Sequence, residues 1–218
     1  MIKNENYWDA KNINLDKLIM TFVEDESTQL SVFESNQIDI AEAVPVKDTK
    51  NLLAEGQAIS FPQTGCYYYI FNCKATPFDN VKVRQAFTYA INRRAIIDNI
   101  TRAEQKPAMA FTPFGFSDVT IDKDFRSVGG DYFKDNDVKK AKQLLAEAGY
   151  PDGKGLPEIE ILYNTMDEHR KIAEAIGQMW KDNLGVNVKL RNAEWGVYLN
   201  ERNEGSFIVA RAGWQADY

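Results

Sequence analysis

Glu158-Ile159-Glu160-Ile161-Leu162-Tyr163-Asn164, with Asp167 to Leu184 behind it, is the stretch whose reading decides the fold. Ile159, Ile161 and Tyr163 alternate, which is the period of a strand. The period then changes. Ile172, Ile176, Met179 and Trp180 fall on one face of a long amphipathic helix, and Gly185 stops it. The alternation continues on both sides. Asp137 to Ala148 predicts a helix ended by Gly149 and Pro151, and Val186-Val188-Leu190 along its own period predicts a strand. Trp195 to Arg202 predicts a helix, and Phe207 to Arg211 a final strand that runs into a Gly213-Trp214 turn. Strands alternating with helices predict an α/β fold with a largely parallel sheet and flanking helices.

The first third reads as strand, helix, strand, from Lys17 to Val23, Ser27 to Ser35 and Ile38 to Ala43. Such a βαβ unit is expected to cross over right-handed. Val46 to Glu55 predicts a second helix stopped by Gly56, and Cys66 to Asn72 a strand. A helix from about Asn80 carries Val83, Phe87 and Ala90/Ile91 on one face, and Asn92 is placed to cap the next short helix. Residues 103–135 hold Pro107, Pro113, Gly129 and Gly130 without clear periodicity, as expected of a wrapping or functional loop.

With 218 residues, 44% hydrophobic and 27% charged, the chain can bury a core. A net charge of −6 with scattered basic residues argues against a nucleic-acid partner. The longest apolar run, Cys66 to Phe71, falls far short of the roughly 20 residues a membrane span needs. The polar N-terminal residues have no signal-peptide core. Cys66 and Cys73, placed in one strand, would lie roughly 23 Å apart on opposite faces, too far to bond each other. Both read as small buried hydrophobes.

Nothing in the chain spells a catalyst. It has no G-x-S-x-G, phosphate loop, G-x-G-x-x-G or H-E-x-x-H, and its single histidine, His169, excludes a multi-histidine zinc site. No cofactor or metal is expected. Asp167-Glu168-His169-Arg170 fits either an acid/base cluster or the solvated first turn of a helix, and the pattern favours the turn. Trp195, Tyr198/Leu199 and Arg202 share a helix face. That face is either a core stripe with a snorkelling Arg or the wall of a cleft. Arg211 lies near the end of the last strand, with Trp214 and Asp217 just beyond it. Ligands of open α/β sheets gather at such strand ends.

Four segments resemble one family. Val83 to Arg93 (VRQAFTYAINR) resembles the "VRQAxxYAIDR" helix of extracytoplasmic solute-binding proteins of peptide ABC transporters. Asn6-Tyr7-Trp8-Asp9 resembles its "NPxYWD" segment, Ala141 to Tyr150 (AKQLLAEAGY) another hallmark, and Glu194 to Tyr218 its C-terminal "EW…GWxADY" run. The resemblance covers essentially the whole chain and points to the oligopeptide-binding branch. It implies part of a two-lobed, type II periplasmic-binding-protein-like fold, with residues 1–64 from the first lobe and 65–218 from the second. It also implies a chain cut from a longer protein, with the targeting signal and the rest of each lobe outside it.

The implied function is to capture oligopeptides outside the cytoplasm and deliver them to membrane permease subunits, without breaking a bond. A relative of the same family with a different ligand is the alternative, and a hydrolase with its catalytic residues elsewhere a remote one. By resemblance, Asp217 accepts the peptide's α-ammonium and Arg211 meets a peptide carboxylate. Trp195 and Arg202 line side-chain pockets, Trp214 belongs to the same loop as Asp217, and His169 meets the carboxyl end of longer peptides. Either Arg102 or Lys106 fits a further carboxylate contact. Some relatives carry a Cys at the place of Gln215, bonded to one aligned with Cys66, so Cys66 is expected to be free.

Overall fold

The computed structural model describes residues 1–216 except 24, 43 and 121. Asp217 and Tyr218 lie outside the described residues. The chain divides into two compact units, Met1–Asn51 and Leu52–Tyr218.

In the first unit Asp25 caps helix α1 (Glu26–Glu34) by accepting from Thr28 N. Helix α2 (Val46–Ala54) follows, and the division between the units falls within it. The two expected strands around α1 do not form among the described residues. Residues 17–23 contribute one antiparallel bridge, Ile2 with Lys17. A strand needs a neighbour to take its backbone N–H and C=O groups. Here only the backbone at Asp16 and Leu18 finds one, on Lys3 and Met1. Ile19, Met20 and Phe22 stay exposed, Phe22 at 92%. Ile40 in the second expected strand is exposed as well.

The second unit is a four-stranded sheet with helices on both faces. Its elements in order are β1 (Gly65–Phe71), α3 (Val81–Tyr89), α4 (Arg93–Ile96), α5 (Phe125–Gly129), α6 (Val138–Glu147), β2 (Ile159–Asn164), α7 (Asp167–Leu184), β3 (Val188–Ala193), α8 (Trp195–Glu204) and β4 (Val209–Gln215). The strand order is β1-β4-β2-β3. β2 pairs parallel with β3 and with β4, while β1 pairs antiparallel with β4. The sheet is therefore mixed, with its parallel part built from the helix–strand alternation of the last third.

Side chains alternate across the sheet, so each face takes its own helices. Ile161 and Val209, which are register partners, pack with α3, α6 and α7 in the larger core. Leu162 and Ala210, one residue on, pack with Tyr198 of α8 on the other face. Trp180 anchors the larger core. It is fully buried, its ring lies 4.8 Å from Phe87, and its Nε1 donates to the Phe87 carbonyl at 2.9 Å. The same bond fastens α7 to α3. Gly177 lets α7 press onto β3, since a Cβ there would meet Val188 Cγ1 at 3.1 Å.

Asn80, Asn92 and Asp137 each cap a helix, so three chemical signals in the sequence mark real starts. Two strands shift at both ends. β3 begins at Val188, where pairing with Ile159 starts, and runs on to Ala193. β4 runs to Gln215 because β1 offers a partner to every residue as far as Gly65. Gly213 and Trp214 are thus strand residues and not a turn. The sheet edge at β3 carries charge: Arg191 bonds Glu160 at 2.7 Å and Glu201 at 2.6 Å, and Lys189 pairs with Glu160 at 3.3 Å.

The expected burial of the two cysteines changes, while both stay free as expected of Cys66. β1 ends at Phe71, so Cys73 lies outside it and is exposed, and Cys66 is only half-buried. Neither is a buried hydrophobe. Gln215 stands opposite Gly65 and not Cys66. Cys66 and Gln215 point to opposite faces, so no bridge between these two positions fits this register. The 103–135 loop wraps: Phe111 packs edge-on against Tyr68 of β1, and Phe114 lies near both the Arg126 and the Lys106 cations. Among the described residues no helix is long and apolar enough to cross a membrane.

Trp180→Ala is expected to cost about 3–5 kcal/mol of stability, from the cavity and the lost anchor together. Trp180→Phe is expected to cost less. Denaturant unfolding of the two variants measures both.

Candidate functional site

Antiparallel pairing sets Arg211 of β4 directly opposite Tyr69, and Gly213 opposite Tyr67. All four therefore share the sheet face that α7 covers. A Cβ at Gly213 would already stand 3.5 Å from Arg211 Nη2, so a longer side chain there would compete for the guanidinium's place. With that place open, Arg211 lies over the Tyr67 ring, Cζ 4.7 Å from the centroid, and Nη1 donates to Asn164 Oδ1 at 3.3 Å. Asn164 ends β2, next to β4 in the sheet.

His169 enters from the first turn of α7. Its Nδ1 is 3.3 Å from the Tyr67 hydroxyl, and the two rings lie 5.6 Å apart. Only 6% of His169 is exposed. Burial first, and the Arg211 cation second, push its pKa down from 6.5 to about 4. Burial raises the Tyr67 hydroxyl and, still more, that of Tyr69, so both stay protonated at neutral pH.

The rest of the α7 first turn behaves differently. Asp167 pairs with Arg170 and Lys171, each at 2.6 Å, and Arg170 with Glu174 at 2.7 Å, all on the surface. The solvated-turn reading holds for Asp167 and Arg170. His169 departs from it, because its place on the helix points it at the tyrosines of β1.

A second group lies on the other face of the sheet. Trp195 stacks on Tyr198 with centroids 5.6 Å apart at 24°, and Arg202 Cζ lies 5.6 Å from the same ring. Tyr198 is buried in the smaller core while Trp195 is 50% exposed. The predicted stripe is therefore core at its centre and open at its N-terminal end. Trp214, 60% exposed and paired with Cys66, stands on the face opposite Arg211. Arg211 sits mid-strand and not near its end, and Trp214 lies inside β4 and not beyond it.

The predicted residues thus fall into two sets. Arg211 and His169 meet through Tyr67. Trp195 and Arg202 meet through Tyr198, whose hydroxyl donates to the Arg211 carbonyl and ties the sets together. Arg102 and Lys106 are engaged in their own loop, with Asn99 and Phe114. Sequence reasoning did not single out Tyr67, Tyr69 or Asn164. The i, i+2 spacing of Tyr67 and Tyr69 was the available signal, hidden inside a run that reads simply as an apolar strand. Among the described residues no group of His, Cys, Asp or Glu side chains could hold a metal ion. A cation, a neutral imidazole and tyrosine hydroxyls in a partly buried cluster can receive an anionic or carbonyl-bearing group.

The family model described as "Bacterial extracellular solute-binding proteins, family 5 Middle" matches residues 1–218. The chain is 39% identical over 224 residues to the oligopeptide-binding protein OppA of Bacillus subtilis (strain 168), covering 99% of this chain and 40% of that protein. It is also 39% identical over 219 residues to the dipeptide-binding protein DppE of the same organism, covering 100% of this chain and 40% of the relative. Among solved structures, a periplasmic oligopeptide-binding protein of Borrelia burgdorferi is similar at a TM-score of 0.85 and 33% identity, covering 100% of this chain and 42% of that one. The chain thus spans about 40% of the length of the curated relatives it matches.

The low pKa of His169 has a direction that can be tested. Between pH 6.5 and about 4 the unfolded chain binds the proton that the folded imidazole refuses. This residue's contribution to stability is therefore complete above that window and is lost as the pH falls through it. NMR titration of the single histidine is expected to find it neutral through pH 5, within the same window. Arg211→Met is expected to move the midpoint up towards 6.5, by removing the neighbouring cation.

Proposed function

The chain belongs to the bacterial extracellular solute-binding proteins of family 5, and on that premise we propose that it forms part of a receptor that captures peptides for import. The proposed receptor works outside the cytoplasm and hands its ligand to an ABC permease in the membrane. Residues 1–64 are assigned to its first lobe and 65–218 to its second. The lobes close around the ligand by a hinge and break no bond. Relatives of the family are named as binding proteins and not as enzymes, which supports this reading.

The observation that carries the proposal is the Arg211–Tyr67–His169 cluster, in which His169 is buried and Tyr67 is 37% exposed. Arg211 is a cation held by Asn164 and the Tyr67 ring, and its charge-assisted pair with a carboxylate is stronger than a neutral hydrogen bond. His169 is assigned to the carboxylate of a ligand that reaches past Arg211. Trp195 and Arg202, on Tyr198, are assigned to side-chain pockets. Asp217 is assigned to the ligand's α-ammonium, and Trp214 to the wall beside it. A dipeptide is the second reading for the ligand, favoured by equal identity to the dipeptide-binding DppE.

Calorimetry with free and N-acetylated di- to pentapeptides tests the assignments. Acetylation, or Asp217→Asn, is expected to weaken binding at least tenfold, about 1.4 kcal/mol. Arg211→Ala is expected to weaken binding of peptides with a free carboxylate by a similar factor or more. Unchanged affinity after both Asp217→Asn and acetylation would sink the amine anchor. A steep preference for dipeptides over longer ligands would select the second reading.

A further inference from the structure

Arg211 and His169, both assigned above to a ligand carboxylate, converge on one tyrosine. The Tyr67 ring lies under the guanidinium at 4.7 Å, and its hydroxyl is 3.3 Å from His169 Nδ1. That contact can run in either direction, and the surroundings decide which. A tyrosine hydroxyl has one proton to give and lone pairs to receive with. Two donors lie beside Tyr67: Arg211, whose guanidinium covers its ring, and Tyr69, whose ring meets it edge-on at 6.0 Å. The Tyr69 hydroxyl and Arg211 Nε are themselves buried, without a well-formed hydrogen bond among the described residues. Two unsatisfied donors beside it favour the Tyr67 oxygen as an acceptor, which leaves its own proton for Nδ1. The imidazole can take it there, because burial and the Arg211 cation keep the ring neutral. A neutral imidazole carries one N–H and one bare nitrogen. The other charge that bears on Tyr67 is Glu168, beside His169 on α7, which acts against the Arg211 cation.

We propose that Tyr67 is a positioning residue that donates its hydroxyl proton to Nδ1 of His169 and so fixes the imidazole as the Nε2–H tautomer. The cluster then offers a ligand two unlike receivers. Arg211 is a cation and calls for a carboxylate. His169 is a neutral N–H donor, which accepts a carboxylate or an amide carbonyl. Use of the pair by a peptide rests on the function proposed above, whereas the tautomer stands on the ligand-free geometry.

His169 is the single histidine of the chain, so its imidazole nitrogens give unambiguous NMR signals. Long-range nitrogen–proton correlation on the ligand-free chain at neutral pH is expected to find Nδ1 bare and Nε2 protonated. Tyr67→Phe keeps a ring under Arg211 and removes only the hydroxyl. It is expected to shift the single tautomer to a mixture, with a clear loss of the Nε2–H form. A proton on Nδ1 in the unsubstituted chain would overturn the proposal, and that result needs no variant to fold. So would a folded Tyr67→Phe chain with an unchanged tautomer. If free peptides fail to bind while the nitrogens behave as expected, the peptide-receptor reading falls and the role of Tyr67 remains.

Discussion

The antiparallel ladder between β1 and β4 is the constraint on which the rest of the site depends. β4 is already held on its other side by β2, in parallel, so its register is fixed from two directions. That register alone decides which side chains meet. Moving β1 by one residue would turn Tyr67 and Tyr69 to the α8 face and place Tyr68 under Arg211. The guanidinium would lose its ring, and His169 the Tyr67 hydroxyl. Strand pairing does here what a catalytic loop does elsewhere: it sets the distance between two chemical groups that are remote in sequence.

The two faces of the sheet divide the work. On one, a deep core built around Trp180 holds α7 firmly and thereby holds His169 in its first turn. On the other, a small core of Leu162, Ala210 and Tyr198 is enough to seat α8, whose Trp195 stays open to solvent. Tyr198 serves both. Its ring closes the small core, and its hydroxyl satisfies the Arg211 carbonyl within β4. A change at Tyr198 would therefore reach Arg211 through the backbone.

Much of this architecture was legible in the sequence, and the reasons are local. Helix α7 was expected from Asp167 to Leu184 and occupies those residues, because its stripe and its Gly185 stop are both intrinsic to the segment. Asn80, Asn92 and Asp137 were readable for the same reason, since a cap acts within three residues. Strand ends were not local. β4 reaches Gln215 only because β1 lies beside it, and nothing in Gly213-Trp214 announces a partner in residues 65–71. The segment 17–23 has the composition of a strand, but among the described residues its backbone is paired only at its start, by Met1 and Ile2. In the candidate cluster, Arg211 and His169 were singled out from the sequence and Tyr67 was not, because its contacts come from what stands across the ladder. Asp217, the anchor assigned to a ligand amine, remains a reading from sequence.

Arg211 is held by Asn164, by the face of Tyr67 and by the fixed strand beneath it. A free arginine side chain surrenders roughly 2 kcal/mol of rotamer entropy when it is immobilised. Here much of that loss falls on folding, before any ligand arrives. In the proposed receptor the thermodynamic profile of binding should carry its mark: if Arg211 pairs with the ligand, its ordering adds little to the entropic cost of association, and the pair is registered mainly as heat.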